Sequence, residues 1–183
     1  MNPTFYLKAT LVAAAMVALP FAQAANLSKA DYQAGKTRIE ASTKADKAAC
    51  SSRADNAKDI CVEEAKAKEK VALAEIEYGY TGKPADRTQV MVAKAESAYA
   101  VAKEKCDDKA GNVKDVCVQE AKATETKALA DARMYKDVGQ AETTAVDAKR
   151  DADYKVAIEK CDALAGDAKT SCTAAAKTQF GKI

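Results

Sequence analysis

Six cysteines fall in three pairs of one spacing: Cys50 with Cys61, Cys106 with Cys117, and Cys161 with Cys172, ten residues lying between the members of each. The pairs recur at intervals of 56 and 55 residues, and the text around them recurs too. Cys106-Asp-Asp-Lys-Ala-Gly-Asn-Val-Lys-Asp-Val-Cys117 aligns with Cys50-Ser-Ser-Arg-Ala-Asp-Asn-Ala-Lys-Asp-Ile-Cys61 and with Cys161-Asp-Ala-Leu-Ala-Gly-Asp-Ala-Lys-Thr-Ser-Cys172. Val62-Glu-Glu-Ala-Lys66 follows the first pair and Val118-Gln-Glu-Ala-Lys122 the second, whereas the third keeps only Ala175-Ala-Lys177. Self-similarity at a fixed period is the mark of a repeat architecture.

The spacing limits how each unit folds. On one straight helix the two cysteines of a pair stand about 16 Å apart at 1.5 Å rise per residue. A disulfide needs Cα atoms within roughly 7 Å. Turn residues lie midway in every pair: Asp55-Asn56, Gly111-Asn112 and Gly166-Asp167. Glycine ends a helix in the left-handed conformation, and Asn or Asp caps the next. The chain then doubles back and the cysteines meet across a helical hairpin. Six cysteines allow fifteen connectivities. The common spacing and midway turns favour pairing within units. The rival is bonding between hairpins, such as Cys61 to Cys106.

Between the pairs Ala, Lys and Glu dominate, all strong helix formers. Ser28 followed by Asp31 is a capping-box start, with Leu27 and Tyr32 at the staple positions. Gly79-Tyr-Thr-Gly-Lys-Pro84 reads as a break, and Pro84 suits the first turn of a new helix. Gly139 marks a weaker break. The expectation is an all-α, elongated, Ala-rich bundle or array of about six helices, in three disulfide-closed hairpins over residues 25–84, 85–139 and 140–183, the last truncated.

Residues 1–24 have the order of a signal peptide: Lys8, an apolar run to Leu19, then Ala22 and Ala24 as the small residues of an A-x-A site, with cutting before Ala25. The run is shorter than the roughly 20 residues that span a bilayer, and no later stretch approaches that length. No cysteine follows the cut to take a lipid anchor. A soluble mature protein of the bacterial periplasm is expected, in an oxidising compartment where disulfides persist.

The formal net charge is +2, and acids and bases alternate without forming a block. That excludes the clustered Lys and Arg of a nucleic-acid binder, and equally a polybasic membrane patch. Ala is close to a quarter of the chain, and Leu, Ile, Phe and Met are scarce. Such a core is thin, and close Ala-to-Ala packing must replace interlocked large side chains. With no His and no C-x2-C, the cysteines do not read as a zinc site. With no C-x-x-C they do not read as a redox catalyst. No cofactor is expected. No His, serine motif or phosphate loop selects a catalytic pair among the many acids, so the chain reads as a non-enzyme. Lys and Glu along the helices read as a solvated face of i,i+4 pairs.

Four tyrosines stand out as candidate interaction residues. Tyr99 and Tyr154 each lie seven residues before the first Cys of their unit, close to two helical turns, so each shares a stripe with its cysteine. That stripe packs an aromatic ring over the partner helix or lines a groove. Tyr78 and Tyr80 flank Gly79 at the first break, near Lys83 and Arg87. They either seal a helix end or contact a partner.

The run Glu63-Glu-Ala-Lys-Ala-Lys-Glu-Lys-Val-Ala-Leu-Ala74 resembles the Ala/Lys/Glu-rich helical stalk of the cell-envelope protein TolA. The whole mature chain is similar to small periplasmic proteins of proteobacteria labelled TolA-like for this composition. The run is also similar to the Ala/Lys/Glu repeats of desiccation-protective late-embryogenesis-abundant proteins. The first resemblance implies work in the cell envelope and the second implies stress protection; no functional residue carries over from either. The expected function is cell-envelope maintenance or stress protection by contact with other periplasmic proteins. The alternative is a carrier of a small ligand in a groove between hairpins, and a thiol redox protein ranks third.

Overall fold

The computed structural model describes residues 26–182. The signal peptide expected at 1–24 and the expected cut before Ala25 lie outside the described residues. The described chain is five α-helices with no strand: α1 Lys29–Ala49, α2 Asp55–Thr81, α3 Pro84–Cys106, α4 Gly111–Asp162 and α5 Gly166–Gln179. A single 3-10 turn, Cys50–Ser52, follows α1.

The three disulfides join the cysteines within each pair: Cys50–Cys61, Cys106–Cys117 and Cys161–Cys172, with Cα–Cα distances of 5.6, 5.7 and 5.6 Å. Each closes a helical hairpin, so all-α architecture and local pairing both hold. The turn chemistry differs from the sequence expectation in one respect. Asp55, Gly111 and Gly166 have φ of 49°, 55° and 58°. Each stands five residues after the first Cys of its unit and is the first residue of the following helix, not the last of the preceding one. The N-cap residues are Ala54, Ala110 and Ala165, extended and without a side-chain cap. The left-handed residue thus re-aims the chain into the new helix, and the Asn or Asp after it caps nothing. Asn56 instead donates its amide hydrogens to the Glu104 carbonyl and the Asp108 carboxylate, tying the first hairpin's turn to the second's.

The break expected at Gly139 is absent. α4 runs unbroken for 52 residues, about 78 Å at 1.5 Å per residue. The boundary between 85–139 and 140–183 therefore falls inside a helix, and the second and third hairpins share it. This is why five helices stand where six are expected. A lone interior Gly costs a helix only about 1 kcal/mol relative to Ala, and the strong formers on both sides absorb it. The first break also shifts: α2 continues through Gly79 and Tyr80 to Thr81, and ends at Gly82 in the left-handed conformation. Pro84 opens α3, as expected.

Helices pack only on their neighbours in sequence: α1 on α2, α2 on α3, α3 on the first part of α4, and α5 on the last part of α4. The result is an open array with no central core. Its buried apolar residues are Cys50, Cys106, Cys161, Ala65, Ala93, Ala95, Ala132 and Ala176. Small residues let the helices approach. A Cβ on Gly35 of α1 would lie 2.0 Å from Ile76 Cδ1 of α2. Ser28 caps α1, its Oγ accepting from the Asp31 amide at 3.1 Å. Leu27 lies against Gly79, where its amide donates to the Gly79 carbonyl at 2.8 Å.

The geometry makes three predictions. Gly139→Ala should raise stability by up to about 1 kcal/mol, since it removes the cost of Gly from a continuous helix. Gly111→Ala should lower it by about 1 kcal/mol, although nothing lies within 4 Å of the added Cβ, because an L-residue is strained at that φ. Thermal unfolding of the oxidised protein measures both, and loss of stability in Gly139→Ala would contradict the unbroken helix. In a Cys161→Ser/Cys172→Ser double variant, α5 has only 14 residues and one packing partner to hold it. Its amide-exchange protection should collapse while that of α2 and α3 is retained.

Candidate functional site

The four tyrosines are not brought together. Tyr80 lies in the last turn of α2, not in a loop, and stacks on Tyr32 of α1 with ring centroids 4.6 Å apart. The Tyr32 hydroxyl donates to the Glu77 carboxylate. This hydrogen bond, with burial and the nearby charge adding, holds the Tyr32 phenol above its ordinary pKa. Lys36 lies 5.5 Å from the Tyr32 ring centroid. Tyr78 is half-buried one helical turn before Gly82, whose amide its carbonyl accepts at 2.8 Å. Tyr99 faces α4, where Lys122 Nζ stands 4.9 Å over its ring. Tyr154 meets Phe180 edge-on at 6.0 Å, and Lys182 lies over the same ring. Tyr80, stacked on Tyr32, thus closes the open end of the first hairpin. Tyr99 and Tyr154 pack across the second and third.

Tyr135 escaped the sequence reading. It stands 18 residues after Cys117, much as Tyr78 stands 17 after Cys61, and the repeat offers that signal. Its ring carries the Arg87 guanidinium at 4.8 Å and clamps the start of α3 to α4. Glu125 escaped it as well. This carboxylate is buried against α3 and paired with Lys122 at 2.7 Å, which raises the Lys122 pKa, chiefly through that hydrogen bond.

The charged residues do more than coat a solvated face. Lys47–Glu69 and Lys68–Asp46 cross from α1 to α2; Lys70–Glu96, Lys94–Glu75 and Lys105–Glu64 cross from α2 to α3. Lys114–Asp107 and Lys169–Asp162 occupy the same place in the second and third repeats, across the disulfide turn. Each exposed pair is worth roughly 0–1 kcal/mol, so together they set register more than strength.

Two surfaces without a partner stand out among the described residues. One is a shallow groove of about 610 Å³ at the junction of the first two hairpins, floored by Val71, Ala72, Ala98 and Val101. Ser97 lines it and is only 6% exposed, and its hydroxyl has no hydrogen-bond partner. The other is the middle of α4. Residues 141–150 are exposed without exception, because α3 ends its cover before them and α5 begins its cover after them. Met134, Val138, Val146 and Val156 add exposed apolar side chains on and beside this stretch.

Among the described residues, no group of three or more His, Cys, Asp and Glu side chains is placed to hold a metal ion, no cysteine is free, and no helix is long and apolar enough to cross a membrane. No protein-family model, curated protein or solved structure matches the chain.

Tyr80→Ala should lower stability by about 1–2 kcal/mol, the loss of a stacked ring pair and its burial. That is as large as the cost of Tyr99→Ala or Tyr154→Ala. A Tyr80 in a free loop would cost far less, so the ranking of the three melting temperatures separates the two placements.

Proposed function

We propose that the chain is a non-enzymatic protein of the bacterial cell envelope, exported to the periplasm and acting there, in maintenance or stress protection, by contact with other proteins through its helical surface. The observation that carries this reading is the open array: helices packed on sequence neighbours alone, with apolar side chains left uncovered along α4. A chain that encloses no reaction chamber but holds a long rigid surface in place is suited to docking. The disulfides are compatible with an oxidising compartment outside the cytoplasm. The resemblance of the Glu63–Ala74 run to envelope stalks supports the same setting.

A second reading, a carrier of a small ligand, is favoured by the α2–α3 groove and the unpaired Ser97 hydroxyl beneath it. A thiol redox role has less support, since one cysteine of each pair is 1% exposed and shielded from attack.

Native mass spectrometry of the protein isolated gently from its own compartment separates these readings. A copurifying protein at fixed stoichiometry is the expected result. A bound small molecule of a few hundred daltons, lost on Ser97→Val, would replace it with the carrier reading, and reduced thiols in the isolated protein would favour redox work.

A further inference from the structure

The repeat contains a contact that one chain cannot complete. Counted on by 56 residues, α2 becomes the first part of α4; counted on by 55, α3 becomes its last part. α2 ends at Gly82, and the chain turns back to pack α3 along it. The first part of α4 has no such turn, so the two surfaces that correspond to the α2–α3 contact stand apart on one straight helix.

Those surfaces keep the chemistry of the contact. Lys94 and Glu96 reach α2 from opposite sides, pairing with Glu75 and Lys70. Ala93 and Ser97 lie between them on the helical wheel, so these are the residues that α3 buries against α2. Their counterparts, Ala148 and Ala152, are exposed. The Glu75–Lys94 pair corresponds to Asp131 and Lys149, and the Glu64–Lys105 pair to Glu120 and Lys160, all four exposed. Val71 and Ala98, on the floor of the α2–α3 groove, correspond to Lys127 and Asp153, an apolar couple exchanged for an oppositely charged one. The remaining pair, Lys70–Glu96, is kept only in its acid, as Thr126 and Asp151. Along α4, Asp131 and Lys149 stand about 27 Å apart and Glu120 and Lys160 about 60 Å, far beyond the reach of an ion pair.

A second copy brings them together. The Glu75–Lys94 and Glu64–Lys105 pairs are both symmetric about the start of α3, at Pro84 and Ala85. The Asp131/Lys149, Glu120/Lys160 and Lys127/Asp153 couples are all symmetric about Gln140. One twofold axis at Gln140 therefore makes all three between antiparallel α4 helices, each of them twice. Met134 then lies against Ala145 and Ala148 of the other copy, and Val138 against Ala141. Ala132 and Cys161, buried against α3 and α5, lie on the far side of α4. Two like contacts remain: Glu142 nears its own copy at the axis, and Lys127 nears Lys155, where Asp153 answers it.

We propose that two copies of the chain form a reciprocal dimer in which the third hairpin of each docks on the second hairpin of the other, as the second docks on the first within one chain. The proposal rests on the reading that the protein works through its helical surface, and it names one partner of that surface. The twofold axis does for the second and third hairpins what the turn at Gly82 does for the first and second.

Sedimentation equilibrium of the oxidised mature chain, taken to about 1 mM, tests it. A reversible monomer–dimer equilibrium is expected. Asp131→Lys alone and Lys149→Glu alone should each weaken it about tenfold, since each turns two attractions into two repulsions of exposed-pair size. The double variant Asp131→Lys/Lys149→Glu should recover it to about the wild-type value. Glu142→Gln removes the like contact at the axis and should leave the dimer at least as tight. All three positions are exposed, so the circular dichroism of the monomers should stay unchanged. Carbodiimide coupling of Asp131 to Lys149, in a mixture of chains grown on natural and on heavy nitrogen, should yield linked peptides of mixed isotope content. Links within single chains alone would mean that α4 bends at Gly139, and would overturn the dimer. A chain that stays monomeric throughout, single variants without effect, a double variant no better than the singles, or a loss of affinity in Glu142→Gln would overturn it too. A monomer that still copurifies with a different protein would overturn the dimer and leave the broader reading standing.

Discussion

Three covalent bonds do in this chain what a hydrophobic core does in most. Among the described residues, the only side chains larger than Ala that are about 1% exposed or less are Cys50, Cys106 and Cys161, and each is one half of a hairpin-closing disulfide. Closing a loop of this size removes about 3 kcal/mol of chain entropy from the unfolded state, in a model whose entropic basis is disputed. Three such closures are comparable to the whole net stability of an ordinary domain, about 5–15 kcal/mol. Freed from assembling a core, the remaining positions hold Ala where helices touch and Lys or Glu where they do not. Interhelical ion pairs and ring contacts then adjust register: Lys94 with Glu75, Arg87 over Tyr135, Tyr80 on Tyr32. None of these is strong, and none has to be.

The hairpins were legible because their signals are local. A fixed spacing, a reversal residue midway and uninterrupted helix formers on both sides are all short-range facts, and the pairing within each unit followed. Gly139 was misleading because a helix boundary is decided by more than one residue. Gly82 ends α2 with help from the left-handed turn and from Pro84; Gly139 has no such company. Tyr80 was misplaced for a related reason. Gly79 beside it looked like the end of the helix, yet what selects a glycine there is the close approach of Leu27 from the start of the described chain, a contact about fifty residues distant.

The candidate surface was less legible still. Tyr78, Tyr80, Tyr99 and Tyr154 drew attention as aromatic residues in a chain with few, and the fold uses Tyr80, Tyr99 and Tyr154 to hold its own helices together. What the fold leaves open is a stretch of Ala, Thr and alternating charge that differs little in composition from the covered stretches around it. Only the lengths of α3 and α5 relative to α4 expose it. Ser97 is a parallel case: nothing in its neighbours distinguishes a serine beneath a groove from one on a wet face until α2 is set alongside.

The continuity of α4 also acts as a gear. Between the first and second hairpins the chain passes through a turn at Gly82 and Lys83, which can absorb an added or missing residue by changing its path. Between the second and third, the 44-residue step from Cys117 to Cys161 is one rigid screw. One residue inserted in the bare stretch would turn the third hairpin by about 100° about the α4 axis and advance it about 1.5 Å. Chain length in that stretch is therefore an angular setting. Seven residues, close to two turns, is the smallest whole step that nearly returns α5 to the side of α4 on which α3 lies.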